Sequence, residues 1–288
     1  MIDPSQKVIL LTGVSSGIGY DAVSYLTKQG YFVFGSVRSN VDQERLEKKF
    51  PNNFKALFFD VTDKDAILSA SSVVKELMPG RNLTALVNNA GLAVPGPMQF
   101  IDDQKFRSQI EIGLFGVRNV INAFLPLLGA SGTISGPTKN QNPGKIINIS
   151  SISGILNTPM NGAYCVAKHA MESIGEVYRR ELYQYGIDVI SIQPGPIKSE
   201  IWSKNAETVS QFAQTDYKNM VVKTNKIMQD AQRDALPAEI ISRLIDNIIK
   251  KKRPKTAYII HKNVLTVTIM AKFLPARLVD WLLYKSLT

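Results

Sequence analysis

Tyr164-Cys165-Val166-Ala167-Lys168 sets a phenol and an ammonium four residues apart, on one face if the segment is a helix. Thirteen residues before Tyr164 stands Ser151, in Asn148-Ile149-Ser150-Ser151-Ile152-Ser153-Gly154. A phenol with its ordinary pKa near ~10 is a poor base at neutral pH. An ammonium ~4 Å away in a partly polar site is worth ~4 kcal/mol to the phenolate, about three pKa units. That brings Tyr164 toward the range where general acid–base work is efficient. A serine hydroxyl at the same substrate oxygen steadies a developing alkoxide. Tyr-x-x-x-Lys alone is an ordinary amphipathic pair, and it takes its meaning from Ser151 and from a second motif near the N-terminus. Cys165 faces a different way from Tyr164 on a helix and reads as packing.

The second motif is Thr12-Gly13-Val14-Ser15-Ser16-Gly17-Ile18-Gly19, between a strand-like run and an amphipathic one. Glycines there allow a tight turn and a close backbone approach to a pyrophosphate, which the following helix N-terminus attracts. A site for NAD(H) wants a carboxylate at the end of the second strand, for the adenosine ribose hydroxyls. This chain has Gly35-Ser36-Val37-Arg38-Ser39 instead, with no acid. Arg38 offers a planar fork of donors to a 2′-phosphate, so NADP(H) is the expected cofactor and NAD(H) the lesser alternative.

Short β-branched runs alternate with longer amphipathic stretches. Lys7–Leu11, Tyr31–Ser36, Phe54–Phe59, Ala85–Asn88, Lys145–Ile149 and Asp188–Gln193 read as strands buried on both faces. Gly17–Gln29, Gln43–Lys49, Lys64–Met78, Asp103–Leu128 and Ala163–Tyr185 read as helices. In Lys64–Met78 the inward face is expected at Ala66, Ala70, Val73, Val74 and Leu77. The alternation predicts right-handed βαβ units in an open parallel sheet. Gly129–Gly144 reads as a surface loop, a tolerated insertion. Ser199–Asp234 follows the sixth strand at the sheet edge where ligands bind, which suits a helical lid over a substrate.

The sequence resembles the short-chain dehydrogenase/reductase family over almost its whole length. The matching residues are the Thr12–Gly19 turn, Asp60-Val61, Asn88-Asn89-Ala90-Gly91, Ser151, Tyr164, Lys168 and Pro194-Gly195. The resemblance implies a single-domain, doubly wound α/β Rossmann fold with seven parallel strands, Ala257–Ile260 being the last. It implies that Gly13, Ser15, Ser16, Gly17, Ile18 and Gly19 hold the cofactor's phosphates. Asp60 and Val61 would contact the adenine, Asn88 and Ala90 would line the adenosine side, and Ile197 and Ser199 would meet the carboxamide after Pro194-Gly195. Tyr164 would exchange the proton, Lys168 would also hold the nicotinamide ribose, and Ser151 would orient the substrate oxygen. The hydroxysteroid and retinol dehydrogenase branch is the nearest in kind, from Gly35–Ser39 and the Leu274–Leu287 tail. A lipophilic alcohol or carbonyl substrate and a homodimer or homotetramer follow as expectations. One position departs from the pattern: Gly113 stands where the family usually has an asparagine that supports a helix irregularity and a water on the proton route.

The 288 residues, 44% apolar and 20% charged, suffice for one large domain, expected over residues 1–262, with an extension at 263–288. One cysteine allows no internal disulfide and points to a reducing, cytoplasmic setting. Two distant histidines, His169 and His261, give no metal cluster. The net charge of +10 is spread along the chain apart from Lys250–Arg253, so nucleic acid is not the expected partner. The apolar tail, with Lys272, Arg277 and Lys285, is open to three roles: peripheral membrane contact, a cap on the pocket, or a subunit contact. A non-catalytic NADP(H)-binding sensor is the rival function, favoured by Gly113 and opposed by the retained trio. An epimerase or dehydratase needs further acid–base residues that the sequence does not offer.

Overall fold

Parallel strands covered on both faces are mainly apolar, and most of these strands are built that way. In a computed structural model, which describes residues 2–130, 142–199 and 201–287, β1 (Val8–Leu11), β2 (Phe32–Val37), β3 (Phe54–Phe58), β4 (Ala85–Asn88), β5 (Lys145–Ile149), β6 (Asp188–Pro194) and β7 (Ala257–Ile260) make one seven-stranded sheet. Its order is β3-β2-β1-β4-β5-β6-β7, parallel throughout. Alternate residues feed opposite layers. Val8, Leu10, Phe34, Leu86 and Ile146 pack one side, while Ile9, Leu11, Val33, Val87 and Ile147 pack the other.

The helices cover these faces. α1 (Gly17–Lys28), α2 (Asn40–Lys49) and α3 (Lys64–Leu77) follow the first three strands. Ser39 and Asp63 cap α2 and α3 by accepting from the backbone N–H groups of Asp42 and Ala66. The inward stripe of α3 is Ile67, Ala70 and Val74, whereas Val73 and Leu77 face solvent. Of the expected stripe, Ala70 and Val74 are buried and the partly buried Ala66 packs against the core; Ile67 joins them, and Val73 and Leu77 do not.

α4 (Asp103–Ile110) and α5 (Val117–Leu128) form one helical run, as expected, but Glu111–Gly116 between them winds as a π-helix. Val120, Ile121 and Phe124 bury its far half against the sheet. α6 (Gly162–Glu181) passes into a short 3-10 turn, Leu182–Tyr185.

After β6 come α7 (Ile201–Ser210) and α8 (Lys218–Asp234), the helical segment expected of a lid. Val209, Phe212, Val221 and Met228 form a small core of their own, shared with Met160 from the segment leading into α6. Met160 adopts φ 62° and is buried, and its carbonyl accepts from Gly96 N–H at 2.8 Å. α9 (Glu239–Lys250) returns to the sheet beside α1. α10 (Val264–Lys272) and α11 (Ala276–Leu287) form the extension, with α11 lying against α8. Most of the expected Gly129–Gly144 loop, residues 131–141, lies outside the described residues.

Candidate active site

The strand order reverses between β1 and β4, and ligands of open α/β sheets bind above such a switch. The glycine turn leaves β1 there. Gly13 has φ 68°, and a Cβ on it would sit 2.8 Å from the Ala90 Cα; one on Gly19 would sit 2.2 Å from the Gly13 carbonyl oxygen. Side chains are thus excluded where the backbone folds closest. Thr12 Oγ1 accepts from the N–H groups of Asn89 and Ala90, and Asn89 Nδ2 donates to the carbonyls of Thr12 and Gly13. Ser36 Oγ accepts from Gly13 N–H at 2.9 Å. Ser16 enters α1 without a side-chain cap, so the first N–H groups of that helix point out at the turn. This cradle fits a diphosphate. Ser15 is half-buried beside it, Ile18 packs into the core, and Ser199 comes within 3.9 Å of where a Gly17 Cβ would be.

At the end of β2, Arg38 is 73% exposed and its Nη1 lies 3.3 Å from Asp60 Oδ2. Burial raises the Asp60 carboxyl pKa, but hydrogen bonds from Thr62 and the Arg38 guanidinium outweigh it and hold the group below the usual carboxylate value. Arg45, one turn into α2, donates to the Ser15 carbonyl at 2.7 Å and pairs with Asp42. A second guanidinium therefore stands by the turn, a position sequence reasoning missed although it follows Arg38 by seven residues. Asn88 sits beneath the surface with Nδ2 donating to Asn148 Oδ1, so its side chain belongs to the sheet interior. Val61 is buried against Gly116.

The end of β5 arranges the other half. Ser151 is buried just past it, and Ser151 Oγ accepts from Ser153 N–H and lies 3.4 Å from the Pro194 carbonyl. Tyr164, in the first turn of α6, brings its hydroxyl to that of Ser151. Lys168, one turn on, is buried and donates from Nζ to the Ile149 carbonyl at 2.8 Å; Nζ lies 5.6 Å from the Tyr164 ring centroid. One strand end thus carries Ser151 and anchors the lysine. Pro194-Gly195 ends β6, with Gly195 N–H bonded to the Ile260 carbonyl, and Ile197 pairs with Leu236.

The electrostatics differ from the expected form. Burial holds the Tyr164 phenol above its ordinary value, with the Ser151 hydroxyl opposing, and Lys168 is not among the causes. Burial pushes Lys168 down to about 8, with the Glu172 carboxylate opposing. The anticipated lowering of the phenol fails here because the ammonium is turned to a carbonyl and both groups have lost water.

Gly113 falls inside the π-helical turn and faces α6, where a Cβ would lie 3.0 Å from that of Ala167. The helix irregularity is present without an asparagine side chain. Nearby Gln109 is buried, accepting from Val94 N–H and donating to the Leu92 carbonyl, which fixes the loop after β4. A cavity of about 300 Å³ opens beside that loop, between Val94, Phe100, Ile101 and Phe212. Neither Ser151 nor Tyr164 lines it. Among the described residues no group of three metal-ligating side chains occurs.

These features have counterparts in known proteins. The chain is 36% identical over 281 residues to an NADPH-dependent 3-dehydrocapnine reductase of Ornithobacterium rhinotracheale, covering 98% of this chain and 97% of that one. It is 28% identical to estradiol 17-beta-dehydrogenase 2 of Mus musculus, covering 99% and 76%. A short-chain dehydrogenase structure from Streptomyces avermitilis superposes with a TM-score of 0.75 at 24% identity, over 98% and 97%, which speaks to fold alone. A family model described as short chain dehydrogenase matches residues 7–210, and with the 36% identity along nearly the whole chain this makes the protein a member of the short-chain dehydrogenase/reductase family.

Proposed function

We propose that the chain reduces a ketone or aldehyde on a lipophilic substrate, using NADPH, with Tyr164 as the general acid. The observation that carries this is the meeting of Ser151, Tyr164 and Lys168 at the carboxyl edge of the sheet, next to the glycine cradle. When bound, the cofactor supplies the hydride. Gly13 and Ser15–Gly19 would hold its diphosphate, Arg38 its 2′-phosphate, Asp60, Val61 and Ala90 its adenosine end, and Pro194, Gly195, Ile197 and Ser199 the nicotinamide end. The substrate oxygen accepts from Ser151 and Tyr164. A phenol held above its ordinary value is fully protonated at neutral pH, which suits an acid poised to donate as an alkoxide forms. Lys168, bonded to the Ile149 carbonyl, keeps its remaining protons for the ribose and the phenolate.

Residues 199–234 act as the cover of the substrate site in this reading, and the small core at Phe212 gives that cover an apolar underside. NADPH is favoured by Arg38 and by the cofactor named for the Ornithobacterium reductase. The test is NADPH oxidation in the presence of 3-dehydrocapnine, an oxosteroid and retinal. Activity on at least one, lowered about 10²–10⁴-fold by Tyr164→Phe, is the expected result. Tight NADPH binding with no turnover on any carbonyl would instead favour a cofactor-binding sensor.

A further inference from the structure

The extension carries large apolar side chains outward. Leu265 and Ile269 on α10 and Phe273 just past its end recur at intervals of four and form one stripe, with Leu265 and Phe273 72% and 73% exposed. On α11, Leu278, Trp281 and Leu282 form another, with Trp281 54% exposed. Only Val267 and Leu287 of these two helices are buried. Apolar surface gathered in this way marks a docking face.

Charge selects the occupant. From residue 262 onward the described chain carries Lys262, Lys272, Arg277 and Lys285 against a single carboxylate, Asp280. Lys285 Nζ stands 5.0 Å over the Trp281 ring. A second copy docked on the same face about a two-fold axis would set these cations against their own images. An anionic bilayer meets them with phosphates, and exposed aromatic side chains settle at the headgroup boundary. The helical run Asp103–Leu128 holds an 18-residue stretch of mean hydropathy 1.3, long and apolar enough to cross a bilayer. Its α5 half is instead packed into the core, so that run is not free to meet lipid.

We infer that α10 and α11 form a peripheral docking face for an anionic lipid surface, the two apolar stripes entering the headgroup boundary and Lys272, Arg277 and Lys285 pairing with phosphates. The face adjoins the segment over the substrate site: α11 lies against α8, and Lys262 Nζ is 3.7 Å from Asp234 Oδ1 at the end of α8. Docking therefore sets the substrate cover next to the bilayer. On the proposed reading of a lipophilic substrate, this gives the substrate a route that avoids water.

The full chain is sedimented with vesicles of phosphatidylcholine alone and of phosphatidylcholine with phosphatidylglycerol at three to one. Binding is expected to the anionic vesicles and to weaken with salt. Lys272→Glu/Arg277→Glu/Lys285→Glu is expected to lower the partition coefficient about a hundredfold, and Leu265→Ser/Phe273→Ser/Trp281→Ser to abolish it. Both variants lie outside the site, so turnover of a water-dispersed ketone is expected to be unchanged, which also reports folding. No binding to anionic vesicles by the full chain, or binding by either triple variant as tight as that of the full chain, overturns the inference. So does a change in particle mass by light scattering when Leu265, Phe273 and Trp281 are replaced, since the face then belongs to a second copy. Vesicle binding by a protein inactive on every carbonyl would leave the docking face standing and remove the reductase reading.

Discussion

Replacing Gly113 by alanine tests how tightly the π-helical turn is set against the helix that carries Tyr164 and Lys168. In a helix interior the change ordinarily stabilises by ~1 kcal/mol, since alanine loses less freedom on folding. Here the new Cβ would lie 3.0 Å from that of Ala167, closer than two carbon atoms comfortably approach. Overpacking of this kind costs ~1–3 kcal/mol. Ala167 is buried and immediately precedes Lys168, so α6 can yield only by moving Tyr164 and Lys168, the proposed acid and its partner, with it. The balance is a net loss of about 1 kcal/mol, or about 2–4 °C in Tm. A misplacement near ~1 Å costs about a hundredfold in rate, so a shift of a few tenths of an ångström should lower kcat several-fold. Thermal unfolding and steady-state kinetics of Gly113→Ala, Ala167→Gly and the double variant measure both effects. The double variant, which removes the opposing methyl, should recover kcat. A Gly113→Ala protein with raised Tm and unaltered kcat would refute the reasoning, because the contact would then relax without cost.

Arg38→Gln should raise KM for NADPH about tenfold, the low end for a charge-assisted bond because the side chain is so exposed, and leave KM for NADH nearly unchanged; an equal rise for both would remove Arg38 from the 2′-phosphate. Lys168 has a folded pKa of about 8 against an ordinary 10.5, so between those values the unfolded chain binds the extra proton and stability rises with pH, being lost again as pH falls through 8. Urea unfolding should show the wild type gaining roughly 3 kcal/mol on Lys168→Met from pH 8 to 10.5, whereas a constant gap would mean that the ammonium is not desolvated. Lys145 donates to the carbonyls of Ile248, Ile249 and Lys251 at 3.1, 2.9 and 2.6 Å, closing the C-terminus of α9. Lys145→Met should cost about 2 kcal/mol in the same assay with kcat intact.

The sheet was legible because a strand covered on both faces is mainly apolar and short. Ala85–Asn88 and Lys145–Ile149 were bounded correctly from composition alone. The face of α3 was legible in part: Ala66, Ala70 and Val74 do meet the core, but only the neighbouring layer decides that Ile67 joins them while Val73 and Leu77 stay exposed. The glycine turn and Ser151, Tyr164 and Lys168 could be nominated because the chemistry proposed for them demands particular residue types at fixed spacing, and the structure brings these residues together at one sheet edge. The braces around them are ordinary residues in partnership: Ser36 under Gly13, Asn89 across to Thr12, Arg45 over Ser15. Pairings between distant segments leave no local trace. The direction of the Tyr164 pKa was missed for a related reason, as spacing tells which groups are neighbours but not how much water each has lost.

Met160 shows how two demands can meet on one residue. A left-handed backbone favours glycine and costs other residues about 1–2 kcal/mol, while the small core shared with Phe212, Val221 and Met228 wants a long, pliant side chain at the same place. Glycine or asparagine would ease the turn and empty the core. Leucine would keep much of the packing and leave the turn strained. Any change at this position exchanges one defect for another, four residues ahead of Tyr164, so the entrance to α6 is a point where the chain has little room to vary.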